Sequence, residues 1–288
     1  MSKGFVLVTG ASTGIGWDTC RLLIEKGYEV IGTVRSEAHS VNIRTALGTA
    51  VHPVIMEVTD QASVDRALTE VEQIVGQRGL VALVNNAGIA VSGPLQFVDL
   101  DAVKYQLEVN VIGVLRVTQA FLPLLGGRID ATQPAGKIIN ISSISGVIST
   151  PFMGPYCMSK YAIESMSDIL RRELSVYGID VITLQPGPIQ TPIWEKARQD
   201  QDLARYVGTI YEPILKHREK IIQQNEADAL PVARVSNLIY EAIVKKRPPT
   251  RTIIAKKKWL MKLLTKLPDR FFDSLIVKSL KKGQLGSR

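Results

Sequence analysis

The stretch GFVLVTGASTGIG, residues 4–16, predicts a β-strand, a tight turn and the start of a helix. A short apolar run ends at Gly10, and apolar residues then recur at helical spacing as far as Gly27, a candidate C-cap. Glycines at 10, 14 and 16 let a pyrophosphate approach the amides at a helix N-terminus, because they have no side chain. Their spacing differs from the common G-x-G-x-x-G fingerprint, but their position after the first strand favours nucleotide binding.

Six further strands alternate with helical stretches along the chain. The predicted strands are YEVIGTVR (28–35), VHPVIMEVT (51–59), LVALVNNAG (80–88), GKIINISS (136–143), GIDVITLQPG (178–187) and TRTIIA (250–255). They are nearly continuous apolar runs, as expected when helices cover both faces of a sheet. The pattern predicts an α/β fold, a single doubly wound Rossmann-type parallel sheet of about seven strands flanked by helices, with a C-terminal helical extension.

Two regions depart from this alternation. Residues 1–255 are predicted to form one dinucleotide-binding and catalytic domain, whose segment 188–226 follows the sixth strand and is placed to cover a substrate. Residues 256–288 form a basic amphipathic extension, in which Leu260, Leu263, Leu264 and Leu267 recur at helical spacing. This helix could lie on an anionic membrane, dock on its own domain or pair with another subunit. Because leucine stripes more often pack in a protein core than on a membrane, we expect the helix to dock on its own domain, with peripheral membrane contact as a further option.

Composition excludes several classes of protein. The chain is 45% hydrophobic and 22% charged, which is ordinary for a globular protein and excludes disordered and fibrous classes. No secretory signal or transmembrane helix is predicted, and the two cysteines suggest free thiols, so we expect a cytoplasmic protein. The net charge of +8 divides into +12 for residues 245–288 and −4 for residues 1–244. Because most of the chain has no excess of positive charge to contact phosphates, nucleic-acid binding is not expected. The three histidines stand apart from one another, so no metal site is expected.

The end of the second strand predicts which dinucleotide binds. A carboxylate there would bond a ribose hydroxyl, whereas this strand ends in Val34 and Arg35, whose planar guanidinium suits a phosphate. Ser12 could add a hydroxyl, and Glu37 could swing back and oppose a phosphate. The sequence therefore favours NADP(H) over NAD(H).

Six motifs in order make the chain similar to the short-chain dehydrogenase/reductase family over residues 4–255. They are TGASTGIG (9–16), NNAG (85–88), Asn110, NISS (140–143), YCMSK (156–160) and PGPIQT (186–191). The segment PFMGPYCMSKYAIESMSDILRREL, residues 151–174, most resembles the branch that contains 17β-hydroxysteroid and retinol dehydrogenases.

The resemblance implies the roles of individual residues. Ser143, rather than its neighbour Ser142, would bond the substrate oxygen; Asn110 would hold a water of the proton relay; and Tyr156 and Lys160 would complete the catalytic set. The implied cofactor-binding residues are Gly10, Ser12, Thr13, Gly14, Ile15, Gly16, Arg35, Glu57, Val58, Asn86, Ala87, Gly88, Tyr156, Lys160, Pro186, Gly187, Ile189 and Thr191. Glu57 is a small departure, because the family usually has Asp there.

The chemistry of Tyr156 and Lys160 follows from their spacing of four residues, which puts both on one helical face. A free tyrosine has a pKa of about 10 and is a slow proton donor near neutrality. Lys160 and an oxidised nicotinamide are expected to lower that pKa. Tyr156 would then donate a proton to the carbonyl that receives hydride, and Cys157 would be a packed thiol.

Apolar residues near this motif predict a hydrophobic substrate. The pocket candidates are Val147, Ile148, Phe152, Met153, Ile193 and Trp194. The predicted function is hydride transfer between NADP(H) and the carbonyl or secondary alcohol of a steroid, retinoid, long-chain or aromatic ketone. The alternatives are a catalytically silent NADP(H)-sensing module and a membrane-associated adaptor that uses the basic tail. By resemblance we expect a homodimer or homotetramer.

Overall fold

A computed structural model describes residues 2–192, 203–216, 222–223 and 226–285. Its centre is a sheet of seven parallel strands in the order β3-β2-β1-β4-β5-β6-β7. The strands are β1 (Phe5–Val8), β2 (Glu29–Val34), β3 (Val51–Ile55), β4 (Leu80–Asn85), β5 (Lys137–Ile141), β6 (Asp180–Pro186) and β7 (Arg251–Ile254). The predicted doubly wound sheet of seven strands is confirmed.

Helices connect the strands, because parallel neighbours need a crossover. The helices are α1 (Gly14–Glu25), α2 (Glu37–Leu47), α3 (Gln61–Val75), α4 (Leu100–Leu107), α5 (Gly113–Phe121), α6 (Gly154–Glu173), α7 (Glu212–Lys216), α8 (Ala233–Val244), α9 (Lys258–Leu264) and α10 (Asp269–Leu285). One π-helical turn, Glu108–Ile112, joins α4 to α5. Buried aliphatic clusters fill both faces of the sheet.

The strand order fixes where a ligand can bind. The chain moves outward from β1 to β2 and β3, then crosses back so that β4 pairs with the other side of β1. The connections after β1 and β4 therefore diverge and leave a crevice at the carboxyl edge of the sheet. All of the described catalytic and cofactor candidates belong to segments that begin at this edge or pack against it.

A row of buried polar side chains joins the sheet to the two long central helices. The Asn85 amide donates to Thr118 Oγ1 at 3.0 Å and to Asn140 Oδ1 at 2.9 Å. Asn140 donates in turn to Ser167 Oγ at 2.9 Å. Because buried polar groups cost free energy when their bonds are lost, this row fixes α5 and α6 relative to β4 and β5.

The segment Leu100–Leu125 is long and apolar enough, by length and composition, to cross a membrane. In the fold it packs against α3, α6 and β4. Its Gln106, Asn110 and Thr118 side chains are buried and bond inside the protein, which is the pattern of a core helix.

The C-terminal extension is helical, as expected, but it breaks where a continuous leucine stripe is predicted. Helix α9 ends at Leu264, so Leu267 lies in the turn before α10. Pro268 explains the break, because it disfavours helical angles at the residue before it and lacks an N–H. Helix α10 packs against α7. This contact supports docking of the extension on its own domain, which stays a prediction.

Candidate active site

The crevice brings together residues from six segments of the chain. The structure places residues 10–16 in the turn after β1, Arg35 after β2, Glu57 and Val58 after β3, Asn86 to Gly88 after β4, Ser143 after β5, and residues 187–191 after β6. Asn110 lies in the π-helical turn, and Tyr156 and Lys160 lie on α6. The predicted catalytic residues thus converge on one site.

The glycine turn has the shape of a phosphate cradle. Gly10 and Gly14 have φ values of 66° and 58°, in the left-handed region that favours glycine. A Cβ on Gly16 would lie 2.2 Å from the Gly10 carbonyl oxygen, so only glycine fits there. Thr13, the N-cap of α1, makes no side-chain capping bond, which leaves first-turn amides free for an anion. These features fit the pyrophosphate of a dinucleotide.

Thr9 holds this turn against the one after β4, and sequence reasoning missed it. Its Oγ1 accepts hydrogen bonds from the backbone amides of Asn86 and Ala87, both at 2.9 Å. The Asn86 side chain donates back to the carbonyls of Thr9 and Gly10, at 2.9 and 3.2 Å. Thr9 is the first residue of the TGASTGIG motif, but only the β1–β4 pairing shows that its side chain joins two turns.

The specificity candidates lie on the other flank of the turn. Arg35 is exposed immediately after β2, Ser12 is half-buried in the glycine turn, and Glu37 begins α2. Glu37 is exposed in the first turn of α2, where a carboxylate is stabilised by the helix dipole. Glu57 accepts from Thr59 N and Oγ1, at 3.2 and 3.1 Å, which turns its carboxylate back toward its own loop.

Ser143 stands at the end of β5 with its hydroxyl held by the backbone. Its Oγ donates to the Pro186 carbonyl at 3.3 Å and accepts from the Ser145 amide at 3.1 Å. It also bonds the Tyr156 side chain. The Ser142 hydroxyl, by contrast, is buried and has no hydrogen-bond partner among the described residues. The two hydroxyls thus differ in their hydrogen bonding, and the role of Ser143 at the substrate oxygen stays a prediction.

Tyr156 and Lys160 share one face of α6, with the Lys160 Nζ 5.6 Å from the centre of the Tyr156 ring. The Lys160 ammonium is buried and donates to the Ile141 carbonyl at 2.9 Å. Burial raises the pKa of the Tyr156 phenol, an effect that the Ser143 hydrogen bond opposes. In the chain by itself desolvation dominates, and the expected lowering of this pKa by Lys160 together with an oxidised nicotinamide stays a prediction. The phenol is therefore protonated at neutral pH and ready to donate.

Lys160 also has a shifted pKa. Burial lowers it to about 8, while the charge of Glu164, one helical turn on, raises it. Glu164 and its partner Arg251 were absent from the sequence-based site. Glu164 could have been noticed as a carboxylate four residues after Lys160, but no sequence signal indicated that Arg251 on β7 would reach it.

Ser159 connects the catalytic helix to the helix that carries Asn110. Its Oγ accepts from Asn110 Nδ2 at 3.0 Å and from Gln106 Nε2 at 3.4 Å, and it donates to the Tyr156 carbonyl at 2.8 Å. The Asn110 side chain also bonds both backbone groups of Ile89, at 2.9 Å each. The Asn110 side chain is thus occupied in fixing the site, and its expected role in holding a water stays a prediction.

The segment after β6 closes the crevice from above the glycine turn. The Gly187 amide donates to the Ile254 carbonyl at 2.9 Å, and Ile189 pairs with Leu230 in an isolated bridge. The Thr191 side chain then reaches Gly14, where a Cβ would contact its methyl at 3.4 Å. The segment therefore runs from Ser143 to the phosphate cradle, across the position expected for a nicotinamide.

The substrate candidates are only partly described. Val147 and Ile148 are half-buried after the short helix that follows Ser143, and Met153 pairs with Gly93. Phe152 has a φ of 66°, a strained value for a bulky residue, and its carbonyl accepts from the Gly93 amide at 2.7 Å. Ile193 and Trp194 lie outside the described residues.

An apolar cavity of about 750 Å³ lies on the outer side of this loop. Its lining includes Leu95, Phe152, Met158, Tyr161, Tyr211 and Leu280. Tyr206 and Tyr211, from the segment predicted to cover the substrate, stack edge-on against Phe97, and Tyr211 also meets Phe152 with ring centres 5.7 Å apart. These contacts support a covering role for the described part of that segment, and the role stays a prediction.

Comparison with known proteins agrees with this geometry. The family model for short chain dehydrogenases matches residues 4–202. An NADPH-dependent 3-dehydrocapnine reductase from Ornithobacterium rhinotracheale is 40% identical over 96% of this chain and 98% of its own. A 3-ketodihydrosphingosine reductase from Bacteroides thetaiotaomicron is 32% identical over 88% of each chain. Human retinol dehydrogenase 5 is 30% identical over 96% of this chain and 87% of its own, in agreement with the predicted branch.

A solved structure shows the same fold. A short-chain dehydrogenase from Streptomyces avermitilis superposes with a TM-score of 0.74 at 22% identity, covering 100% of this chain and 99% of its own. With the family match over most of the chain and the relative at 40% identity, the assignment is direct. The chain belongs to the short-chain dehydrogenase/reductase family of oxidoreductases.

Proposed function

We propose that this enzyme uses NADPH to reduce a long-chain 3-ketone to the corresponding alcohol. The observation that carries the proposal is the relative named for NADPH-dependent 3-dehydrocapnine reduction, which is similar along almost the whole chain. Only 4% of this chain lies outside the alignment with that relative, which is too little to contain the whole C-terminal extension. Most of the extension therefore also aligns with the relative. A second relative is named for reduction of another 3-keto compound.

The residues present fit the dinucleotide. The cradle of Gly10, Gly14 and Gly16 would hold the pyrophosphate, and the exposed Arg35 would bond a 2′-phosphate. The segment 186–191 would lie along the nicotinamide. When bound, NADPH supplies the hydride.

The chain's own groups supply the proton and orient the carbonyl. Ser143 Oγ, held by Pro186 and Ser145, would donate to the carbonyl oxygen and fix its position. Tyr156 Oη would transfer its proton to the same oxygen as charge develops there. The charged Lys160, buried beside the phenol, would stabilise the tyrosinate that remains. Because burial raises the pKa of the phenol, the proton needed for reduction is present near neutral pH.

The outer cavity supports a long apolar substrate. Its lining includes Phe152 and Gly154, which come shortly before Tyr156 in the chain, and Leu280 on α10. Its volume of about 750 Å³ and its aliphatic and aromatic lining suit an alkyl chain rather than a polar group. In this arrangement the ketone lies at Ser143 and Tyr156, while the chain runs past Phe152 toward α10.

A chain-length series tests the proposal. We expect kcat/KM with NADPH to rise steeply from short to long 3-ketones, because each buried methylene contributes about 0.8 kcal/mol. Leu280→Trp narrows the cavity and should lower kcat/KM for long ketones but not for short ones. Leu263→Trp is the matched control, because Leu263 is exposed on α9. Equal activity on all lengths would contradict the substrate assignment.

We also propose that the C-terminal extension makes peripheral contact with an anionic membrane. Trp259, Leu263 and Phe271 are exposed, and Trp259 is 67% accessible. They stand among the lysines and arginines that give residues 245–288 a charge of +12. Vesicles containing anionic lipid should sediment the full chain but not a chain that ends at residue 255. Equal sedimentation of the two would refute the contact.

A homodimer or homotetramer remains our proposal for the assembly. Large apolar side chains, among them Tyr105, Ile112 and Ile169, are exposed on the two long helices. Light scattering should give a mass of two or four chains, and Ile112→Asp should reduce it. A monomeric wild type would contradict the proposal.

A further inference from the structure

The buried Lys160 is the first member of a row of charged side chains on α6, which Glu164 and Asp168 continue. Glu164, one turn after it, is 7% exposed, and its Oε2 accepts from Arg251 Nε at 2.7 Å. Arg251 also donates to the Glu164 carbonyl at 3.3 Å and reaches Asp168 Oδ1 at 3.0 Å. The row therefore leads from the catalytic lysine to the surface, and an arginine on β7 holds its first carboxylate.

One oxygen of Glu164 has no such partner. Its Oε1 is buried and makes no hydrogen bond with the described residues. An unpaired carboxylate oxygen in the interior is costly, and such atoms are found where a structure uses them. The charge on this carboxylate is thus incompletely neutralised inside the protein, one turn from Lys160.

The backbone makes room for the carboxylate at Gly146. A Cβ on this residue would lie 3.0 Å from Glu164 Cγ and 2.9 Å from the carbonyl oxygen of Lys160. It would also lie 2.9 Å from Ser142 Oγ, the buried hydroxyl without a partner. Glu164 Cγ therefore packs against Gly146, where only glycine leaves room for it.

Charged groups on the other packed elements bond elsewhere. Glu108 pairs with Arg116, Lys104 with Asp101, and Lys137 with the carbonyls of Ala242 and Ile243, while Asp180 is exposed at the start of β6. Asp168, on α6 itself, pairs with Arg171, Arg172 and Arg251. Tyr156 faces Lys160 as a neutral phenol, with the Cys157 thiol beside it. Glu164 is thus the carboxylate whose charge acts on Lys160.

We propose that Glu164 is a positioning residue that keeps Lys160 in its charged form, and that Arg251 fixes Glu164 for this purpose. The proposal rests on the role of Lys160 in the function proposed above. Without the carboxylate, nothing on this row would offset the cost of burying the ammonium. The lysine would lose its proton at lower pH and cease to stabilise the tyrosinate.

The sign of the effect is fixed by charge. Lys160 already has a pKa of about 8 because of burial, and Glu164 opposes that shift. Glu164→Gln removes a negative charge at nearly constant volume, so the alkaline limb of the kcat profile should move to lower pH by about one unit. Glu164→Asp keeps the charge and should show less than half of that shift. Asp168→Asn, the matched control, lowers the melting temperature and leaves the limb in place.

Titration of Lys160 by NMR, with side-chain ¹³C-labelled lysine, makes the test independent of the substrate. The signal is assigned by its loss in Lys160→Arg. The proposal expects a lower titration midpoint in Glu164→Gln than in the wild type, in step with the kinetic limb. An unmoved midpoint, or equal shifts in the Gln and Asp variants, would overturn it. Absence of ketone reduction by the wild type would instead refute the proposed function, and the NMR result would still decide the role of Glu164.

Discussion

Replacing Tyr156 with phenylalanine removes one hydroxyl from the site and little else. The phenyl ring keeps its place on α6, and Ser143 retains its bonds to Pro186 at 3.3 Å and to Ser145 at 3.1 Å. We therefore expect the free energy of unfolding to change by about 1 kcal/mol or less. The lost proton transfer should lower kcat by about 10²- to 10⁴-fold, which corresponds to about 3–5 kcal/mol.

The assay separates catalysis from binding. NADPH affinity, followed by quenching of protein fluorescence, should stay within about threefold of the wild type, because the cradle at Gly10, Gly14 and Gly16 is untouched. Ketone reduction is followed at the NADPH absorbance, with Tyr177→Phe as the control, since Tyr177 is exposed just after α6 and lies outside the proposed substrate cavity. Turnover by the Tyr156 variant within tenfold of the wild type would refute the assignment of the proton donor.

Three further predictions test other parts of the site. A pH–rate profile should show that the rate of reduction falls as the pH rises through about 8, where Lys160 loses its charge. A rate that stays constant to pH 10 would exclude a role for the charged lysine in catalysis. Gly16→Ala puts a Cβ 2.2 Å from a backbone oxygen and should raise the Kd for NADPH at least tenfold, measured by calorimetry, whereas unchanged affinity would disprove the cradle. Arg35→Ala should reduce the preference for NADPH over NADH by about tenfold in kcat/KM. An unchanged preference would show that residues other than Arg35 bind the 2′-phosphate.

Local patterns predicted the sheet well because each strand carries its own signal. The apolar runs and the alternating helices indicated seven parallel strands, and the structure contains all of them. The turn at Gly10 and the shared helical face of Tyr156 and Lys160 were also recognisable from local spacing, but the catalytic roles of that pair rest on the family resemblance. The resemblance to a family added Ser143 and Asn110, which the spacing alone did not indicate.

Contacts between distant segments could not be predicted in this way. Thr9 holds two turns that are 77 residues apart in sequence, and the bond between Arg251 and Glu164 spans 87 residues. Burial, which the sequence does not show, raises the pKa of Tyr156 in the chain by itself. The helix break could have been predicted from Pro268 alone, but the regular spacing of the leucines suggested one continuous helix.

The central claim is that this chain moves hydride from NADPH to a long-chain 3-ketone while Tyr156 supplies the proton. The most direct measurement uses NADPH deuterated at C4 of the nicotinamide and identifies the product by mass spectrometry. We predict one deuterium on the carbinol carbon for each NADPH consumed, with one face of the nicotinamide used throughout, and loss of this product in Tyr156→Phe. NADPH consumption without deuterium in the alcohol, or labelled product at the wild-type rate from the variant, would contradict the account.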